Sequence, residues 1–176
     1  TQSRSSAASD VYKRQTQANG GLFQIGSSSS SYDRALYLVN GNLASYVDGS
    51  ETIQTTGKNF ADGNWHRLLF TLGSQGGHRL YVDGELLAAG SRTGSSYSTQ
   101  SAARLGYAAK AAAAPFFAGE IRSLRSWSQE LSAKQATGNA SALPAASQWF
   151  DFNSNRIADL AAGAGDFTSG FTTTGG

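Results

Sequence analysis

The chain alternates between short apolar stretches and turn-forming residues, with no sustained helical period. The clearest stretch is residues 65–72. Its even positions carry His, Leu, Phe and Leu, and its odd positions carry Trp, Arg, Leu and Thr. A period of two is typical of a β-strand with two different faces. The pattern therefore predicts a strand at residues 65–72.

Asn-Gly and Asp-Gly pairs mark tight turns between such stretches. Asn40-Gly41 separates residues 35–39 from 43–47, and Asp83-Gly84 separates residues 79–82 from 85–88. These dipeptides supply the positive φ values that a two-residue hairpin needs, so both are predicted hairpins. Further strands are expected at residues 22–25, 52–56, 103–107, 119–127 and 149–152.

One helix is expected, at residues 133–136, with Ser132 as its N-cap. Short strands at intervals of roughly 8–12 residues favour a sandwich or jelly roll. The pattern predicts an all-β antiparallel β-sandwich with one short helix near Ser132.

Charge and composition exclude several classes of protein. The 176 residues include 14 Lys and Arg, 12 Asp and Glu, and no Cys. Residues 1–15 hold the whole net charge of +2, so the rest of the chain is neutral. A neutral body argues against nucleic-acid partners and anionic membranes, which need clustered Lys and Arg. The absence of Cys excludes disulfides and thiolate metal sites, and no apolar run is long enough to span a membrane.

The chain divides into three predicted regions. Residues 1–15 are polar and without period and resemble read-through of a sequencing adapter, so we expect a disordered or non-native tail. Residues 16–160 are the predicted domain. Residues 161–176 are rich in Gly and Thr and weakly determined, either an end segment or the start of a following module. No signal-peptide segment is visible at the N-terminus, so an export signal would lie outside this chain.

Five motifs in one order carry a resemblance to a known family. They are Gly-Asn-Trp-His-Arg-Leu at 63–68, Leu-Tyr-Val-Asp-Gly-Glu-Leu at 80–86, Arg-Leu-Gly at 104–106, Phe-Phe-Ala-Gly-Glu-Ile at 116–121 and Leu-Ser at 131–132. Together they resemble the laminin G-like, concanavalin A-like jelly-roll family. Arg122 departs from the family pattern, which often has an acidic residue there. Such domains usually open with a strand pair before the point where this chain begins, which implies a fragment truncated at its N-terminus.

The residues give little support for catalysis. Related glycanases resemble laminarinases, which carry Glu-x-Asp-x-(x)-Glu on one strand, and paired carboxylates are what retaining hydrolysis requires. Here the four Glu are isolated and no Glu-x-Asp occurs. Among histidines, His66 is interpreted as a satisfied sheet residue, and His78, in a glycine-rich turn, is expected to be exposed. We therefore predict that the protein is not an enzyme.

Sugar binding requires aromatic rings for stacking and planar polar groups for hydroxyls. The candidate ligand-binding residues in or beside loops are Tyr32, Arg34, Tyr97, Arg104 and Tyr107. The resemblance also implies one calcium ion, for which Asp151 and Asp159 are the candidate ligands, because calcium takes carboxylate oxygens.

These observations predict a non-catalytic carbohydrate-binding or adhesion module of a larger extracellular or cell-surface bacterial protein. Its partners would be a glycan or cell-surface ligand and the neighbouring domains. The alternative is a structural or protein-binding adhesive repeat without a sugar ligand. A laminarinase-like glycanase or a sialidase-associated lectin module is less favoured by the residues.

Overall fold

Two antiparallel sheets pack face to face in a computed structural model that describes residues 7–48, 51–95, 100–139, 143–152 and 158–159. This confirms the predicted all-β sandwich. The first sheet, sheet A, has the order β12-β11-β10-β1-β6-β7-β8. Its strands are β1 (Ala7–Arg14), β6 (Trp65–Leu72), β7 (Arg79–Val82), β8 (Glu85–Ala89), β10 (Glu120–Trp127), β11 (Gln148–Asp151) and β12 (Ala158–Asp159).

The second sheet, sheet B, has five strands in the order β5-β4-β3-β2-β9. They are β2 (Gly20–Gly26), β3 (Tyr32–Val39), β4 (Asn42–Val47), β5 (Glu51–Gln54) and β9 (Ala102–Leu105). The helix is α1 (Ala133–Thr137), and Ser132 caps it by accepting a hydrogen bond from the Gln135 N–H. No helix in the described part of the chain has the length and apolar character needed to cross a bilayer.

Strand β1 corrects the expected tail. It lies between β10 and β6, pairs with both, and buries Val11 and Lys13 completely. The expectation of disorder is therefore wrong for residues 7–14. The polar composition was misleading because both faces of this strand are covered. Val11 faces the core between the sheets, while Asp10 pairs with Arg67 on the other side of the sheet.

The core lies between the sheets and follows the predicted alternation. Leu36 and Leu38 of β3 pack against Leu68 of β6, Leu80 of β7 and Leu124 of β10. Burial of such side chains stabilises the fold by about 1.5–3 kcal/mol each.

Both predicted hairpins are present with the backbone that their sequences require. Asn40 and Gly41 have φ values of 50° and 78°, and Asp83 and Gly84 have values of 52° and 86°. Gly tolerates positive φ because it has no Cβ, and Asn and Asp do so because their short polar side chains can hydrogen-bond locally; this is why the dipeptides could be recognised in the sequence.

Each sheet also has a cover on its outer side. Leu131 and Ala136, from the segment that contains α1, pack on Ala8, Leu69 and Tyr81 of sheet A. The loop after β9 covers sheet B, where Ala108 and Ala111 pack on its outer alanines and on Tyr37. This second loop positions the candidate site.

Candidate functional site

An aromatic surface lies on the outer side of sheet B. We call it the tyrosine surface and define it by Tyr32, Tyr46, Tyr107, Lys110 and Phe116. The Tyr32 and Tyr46 rings meet edge to face with centroids 5.5 Å apart, and Tyr107 and Phe116 rings lie 5.2 Å apart. The Lys110 ammonium lies 4.4 Å from the centre of the Tyr46 ring. Strands β3 and β4 and the loop after β9 thus bring five side chains to one surface.

The loop is held on the sheet by a buried glutamine. Gln24 is fully buried, its side-chain oxygen accepts from the Ala109 N–H at 2.8 Å, and its amide nitrogen donates to the carbonyls of Ser28 and Ser29. Gly21 permits the close approach, because a Cβ there would overlap the Ala108 nitrogen and the Pro115 oxygen. The tyrosine surface therefore rests on a fixed support.

Arg104 lies beside this support. It pairs with Gln24 across β9 and β2, so both residues belong to the outer side of sheet B. The Arg104 Nη1 atom is buried and has no hydrogen-bond partner among the described residues. Because this atom is buried, it does not reach a ligand, and only the partly exposed remainder of the Arg104 side chain borders the tyrosine surface.

Tyr32 and Tyr46 keep their phenol protons. Burial raises the pKa of Tyr32 above its ordinary value, and the nearby Tyr107 adds to the effect. Burial likewise raises the pKa of Tyr46, together with Asp48 and other neighbours. Both hydroxyls are therefore donors as well as acceptors at neutral pH, as recognition of sugar hydroxyls requires.

Arg34 does not belong to the tyrosine surface, contrary to the sequence interpretation. It is only 4 % exposed and lies beside Ser9, Ser45 and Phe70, which belong to the two sheets' inner faces. The reason is strand alternation, because positions 34, 36 and 38 face inward. The Arg34 Nε atom lies 2.9 Å from Asp33 Oδ2. Arg34 therefore forms a buried ion pair and does not contact a ligand.

The remaining sequence candidates are not brought to this surface by the described structure. Tyr97 lies outside the described residues. Asp151 lies opposite Ser123 and Ala158, and Asp159 lies opposite Phe150, so the register does not pair the two acids. Within the described ranges, no group of three or more His, Cys, Asp or Glu is placed to hold a metal. Two carboxylates fill only part of the 6–8 oxygen positions that calcium takes, and a calcium ion at Asp151 and Asp159 stays a prediction.

His66 joins two of the sequence motifs structurally. Its Nδ1 lies 2.7 Å from Asp83 Oδ2, and its Nε2 lies 3.0 Å from Asp62 Oδ1. The Asn64 N–H, the Asn64 amide and His66 hold the pKa of Asp62 well below its ordinary range. His66 therefore connects β6 to the turn at Asp83-Gly84 and to a second Asp-Gly pair, Asp62-Gly63. The interpretation of His66 as a satisfied sheet histidine agrees with this geometry.

His78 is fully buried, so the expectation of an exposed turn histidine is wrong. Its Nδ1 lies 2.8 Å from Glu51 Oε2 and its Nε2 lies 2.9 Å from Ser45 Oγ. Hydroxyl, imidazole and carboxylate in this order can activate a serine nucleophile. Here Ser45 is 1 % exposed and faces the core, which closes it to a substrate, so the chain of bonds ties sheet B to the start of β7.

Charge and burial compete in this tie. Burial lowers the pKa of His78 below its ordinary value, although Glu51 acts in the opposite direction. Burial acts to raise the pKa of Glu51, but the Ser91 N–H, His78 and the Arg92 N–H outweigh it and hold that pKa low. The arrangement favours a neutral imidazole beside a charged carboxylate.

Three members of the tyrosine surface were missed by the sequence interpretation: Tyr46, Lys110 and Phe116. Tyr46 could have been found, because alternation along β4 places it on the outer side with Ala44. Lys110 and Phe116 could not, since a loop of small residues has no period to reveal where it folds back.

Solved structures share this fold. A proposed carbohydrate binding protein from Bacteroides ovatus superposes with a TM-score of 0.65 at 15% identity, over 89% of this chain and 50% of that one. The mouse laminin alpha1 chain domains LG4-5 give 0.56 at 24% identity, over 75% and 39%. The Ruminococcus gnavus IT-sialidase CBM40 bound to alpha2,3 sialyllactose gives 0.61 at 15% identity, over 77% and 83%.

At these identities the superpositions show a shared fold and no more. The chain spans about half the length of the Bacteroides protein. Among curated proteins, none matches the sequence. A laminin G-type family model, described as the concanavalin A-like lectin/glucanases superfamily, matches residues 5–137. The match covers well over half of the 176 residues and includes β1 and all five motifs. The chain is therefore a member of the laminin G-like family within the concanavalin A-like lectin/glucanases superfamily.

Proposed function

We propose that this domain is a non-catalytic carbohydrate-binding module that holds a glycan on the tyrosine surface. The observation that carries the proposal is the convergence of Tyr32, Tyr46, Tyr107 and Phe116 on one side of sheet B. Aromatic rings at this density give apolar faces for pyranose stacking, and Phe116 is 70% exposed.

Polar groups beside the rings fit the same ligand class. The Arg104 side chain is partly exposed beside the rings, the Lys110 ammonium lies over the Tyr46 ring, and the hydroxyls of Tyr32 and Tyr46 stay protonated. A ligand site of this kind combines a few directional polar groups with apolar contact area. Two proteins that share the fold, the Bacteroides carbohydrate binding protein and the sialyllactose-bound CBM40, support the proposal.

The setting follows from the same proposal. A glycan-binding module would act outside the cell or at its surface, holding a cell or a neighbouring domain on its ligand. A calcium ion at Asp151 and Asp159 stays a prediction. A calcium-dependent rise in melting temperature that Asp151→Asn removes would support it.

Affinity electrophoresis tests the proposal directly. Wild-type protein is run through native gels that contain soluble glucan, xylan or mannan, and a glycan array with sialyllactose extends the panel. We expect retention by at least one glycan and weaker retention of Phe116→Ala, whose exposed ring contributes little to the core. The control is Leu86→Ala, which removes a 46% exposed side chain from sheet A.

The expected loss is about tenfold in affinity for Phe116→Ala, the order of effect of removing one stacked ring. Equal retention of Phe116→Ala, Leu86→Ala and wild type would place the ligand elsewhere. No retention of wild type by any glycan would refute the proposed function and favour the protein-binding or structural alternative.

A further inference from the structure

A second cleft lies on sheet A. Its volume is about 360 Å³, and it is lined by Trp65, Glu120, Ile121, Arg122 and Phe152. It shares no residue with the tyrosine surface. Its position follows from the ends of three neighbouring strands, because Glu120, Arg14 and Trp65 lie opposite one another across β10, β1 and β6.

A β-bulge directs one arginine to this cleft. The pairing of β1 with β10 passes from Tyr12 opposite Ser123 to Lys13 opposite Ile121, so Arg122 is an extra residue without a partner in β1. Bulges of this kind re-aim a side chain. The Arg122 guanidinium lies 4.3 Å from the centre of the Trp65 ring, and the Arg122 carbonyl accepts from the Phe152 N–H at 2.8 Å.

Among the residues that the structure describes, the charges around Trp65 do not cancel. The Arg14 guanidinium lies 5.2 Å from the centre of the same ring and also forms a 2.5 Å ion pair with Glu120. Glu120 therefore neutralises Arg14, while Arg122 is exposed and contributes an excess positive charge. A guanidinium presents paired N–H donors that match a carboxylate.

We infer that the Trp65 cleft is a second binding site, for a pyranose that carries a carboxylate. Arg122 would bind the carboxylate, and the rings of Trp65 and Phe152 would contact the sugar ring. The inference is independent of the tyrosine surface, since the residues lie on different sheets. Carboxylate binding would be the role of Arg122, the residue that departs from the family motif.

Tryptophan signals report on this cleft. The protein has three Trp, and the Trp65→Phe variant identifies the Trp65 indole N–H signal in a nitrogen-15 NMR spectrum by its loss. D-glucuronate is the probe, D-glucose is its neutral counterpart, and acetate supplies the carboxylate alone. We expect saturable shifts of the Trp65 signal with glucuronate, at least tenfold weaker binding of glucose and acetate, and weaker binding at high salt.

Substitutions of the arginine complete the test. Arg122→Gln should weaken glucuronate binding about tenfold, the usual effect of losing one charged hydrogen-bonding partner. The affinity of Arg122→Lys should lie between those of wild type and Arg122→Gln. Lys134→Gln, which removes an exposed positive charge from α1, is the matched control and should bind as wild type does.

Several results would overturn the inference. One is a Trp65 signal that glucuronate does not move, and another is undiminished binding by Arg122→Gln. Equal affinity for acetate would show a simple anion site and contradict a sugar ligand. Phe116→Ala should leave glucuronate binding intact, so failure here and failure of the proposed function are distinguishable.

Discussion

Lys13 is a buried cation in the strand that the sequence interpretation placed in a tail. It is 0% exposed, and its Nζ donates to the Phe60 carbonyl. Burial lowers the pKa of Lys13 to about 8 from an ordinary 10.5, although Asp62 and Asp83 act in the opposite direction. Between these two pH values the unfolded chain binds a proton that the folded chain has released.

The sign of the pH dependence follows from that proton. Since the unfolded state binds more protons, the free energy of unfolding rises with pH. Integration from about pH 7 to about pH 9.5, with a pKa of about 8 in the folded state and 10.5 in the unfolded state, gives a gain of about 2 kcal/mol. Lys13→Met keeps the apolar stem and should remove this gain.

Chemical denaturation of wild type and Lys13→Met at several pH values in this range measures the difference. The tyrosines with raised pKa values affect both proteins alike, so they cancel. Parallel stability profiles would refute the reasoning and, with it, the burial of Lys13 in β1.

Chemical modification gives an independent readout that needs no variant. Reductive methylation of the native protein should modify Lys58, Lys110 and Lys134, which are exposed, and should spare Lys13. Modification of Lys13 at the same rate as the other three would contradict the structure in the same way.

Two further predictions concern the tie between the sheets and the support of the loop. Because burial lowers the pKa of His78, the free energy of unfolding should fall as pH drops below about 6.5, by at most about 1.4 kcal/mol per pH unit. His78→Gln should flatten this slope, which denaturation from pH 7 to pH 5 measures. An unchanged slope would contradict a buried neutral imidazole. Gly21→Ala should lower the free energy of unfolding by about 1–3 kcal/mol, because the added Cβ would overlap Ala108 and Pro115. The same variant should weaken glycan retention. A variant as stable as wild type would show that the loop does not rest on β2.

The fold could be predicted in large part because its signals are local. The Asn40-Gly41 and Asp83-Gly84 pairs specify their turns by backbone conformation, and alternation at residues 65–72 gives the two faces of β6. Strand β1 had no such signal. Its polar residues are satisfied by distant partners, as in the 3.0 Å bond from Arg67 Nε to Asp10 Oδ1, and pairing across 57 residues leaves no local trace.

The candidate site could be predicted only in part for the same reason. Tyr32 and Tyr107 were found as loop aromatics, and the structure brings them together. The face of Arg34 could have been read from alternation along β3, but its neighbours in the loops suggested a surface position. His78 was misplaced because its partners, Ser45 and Glu51, are 33 and 27 residues away.

The central claim is that the tyrosine surface binds a glycan. The most direct test is a nitrogen-15 NMR titration of wild-type protein with the polysaccharide or sialyllactose that retains it. The account predicts that perturbed backbone amides cluster at Tyr32, Tyr46 and residues 104–110, and that Phe116→Ala weakens the titration. Perturbations confined to sheet A, or none at saturating glycan, would contradict it.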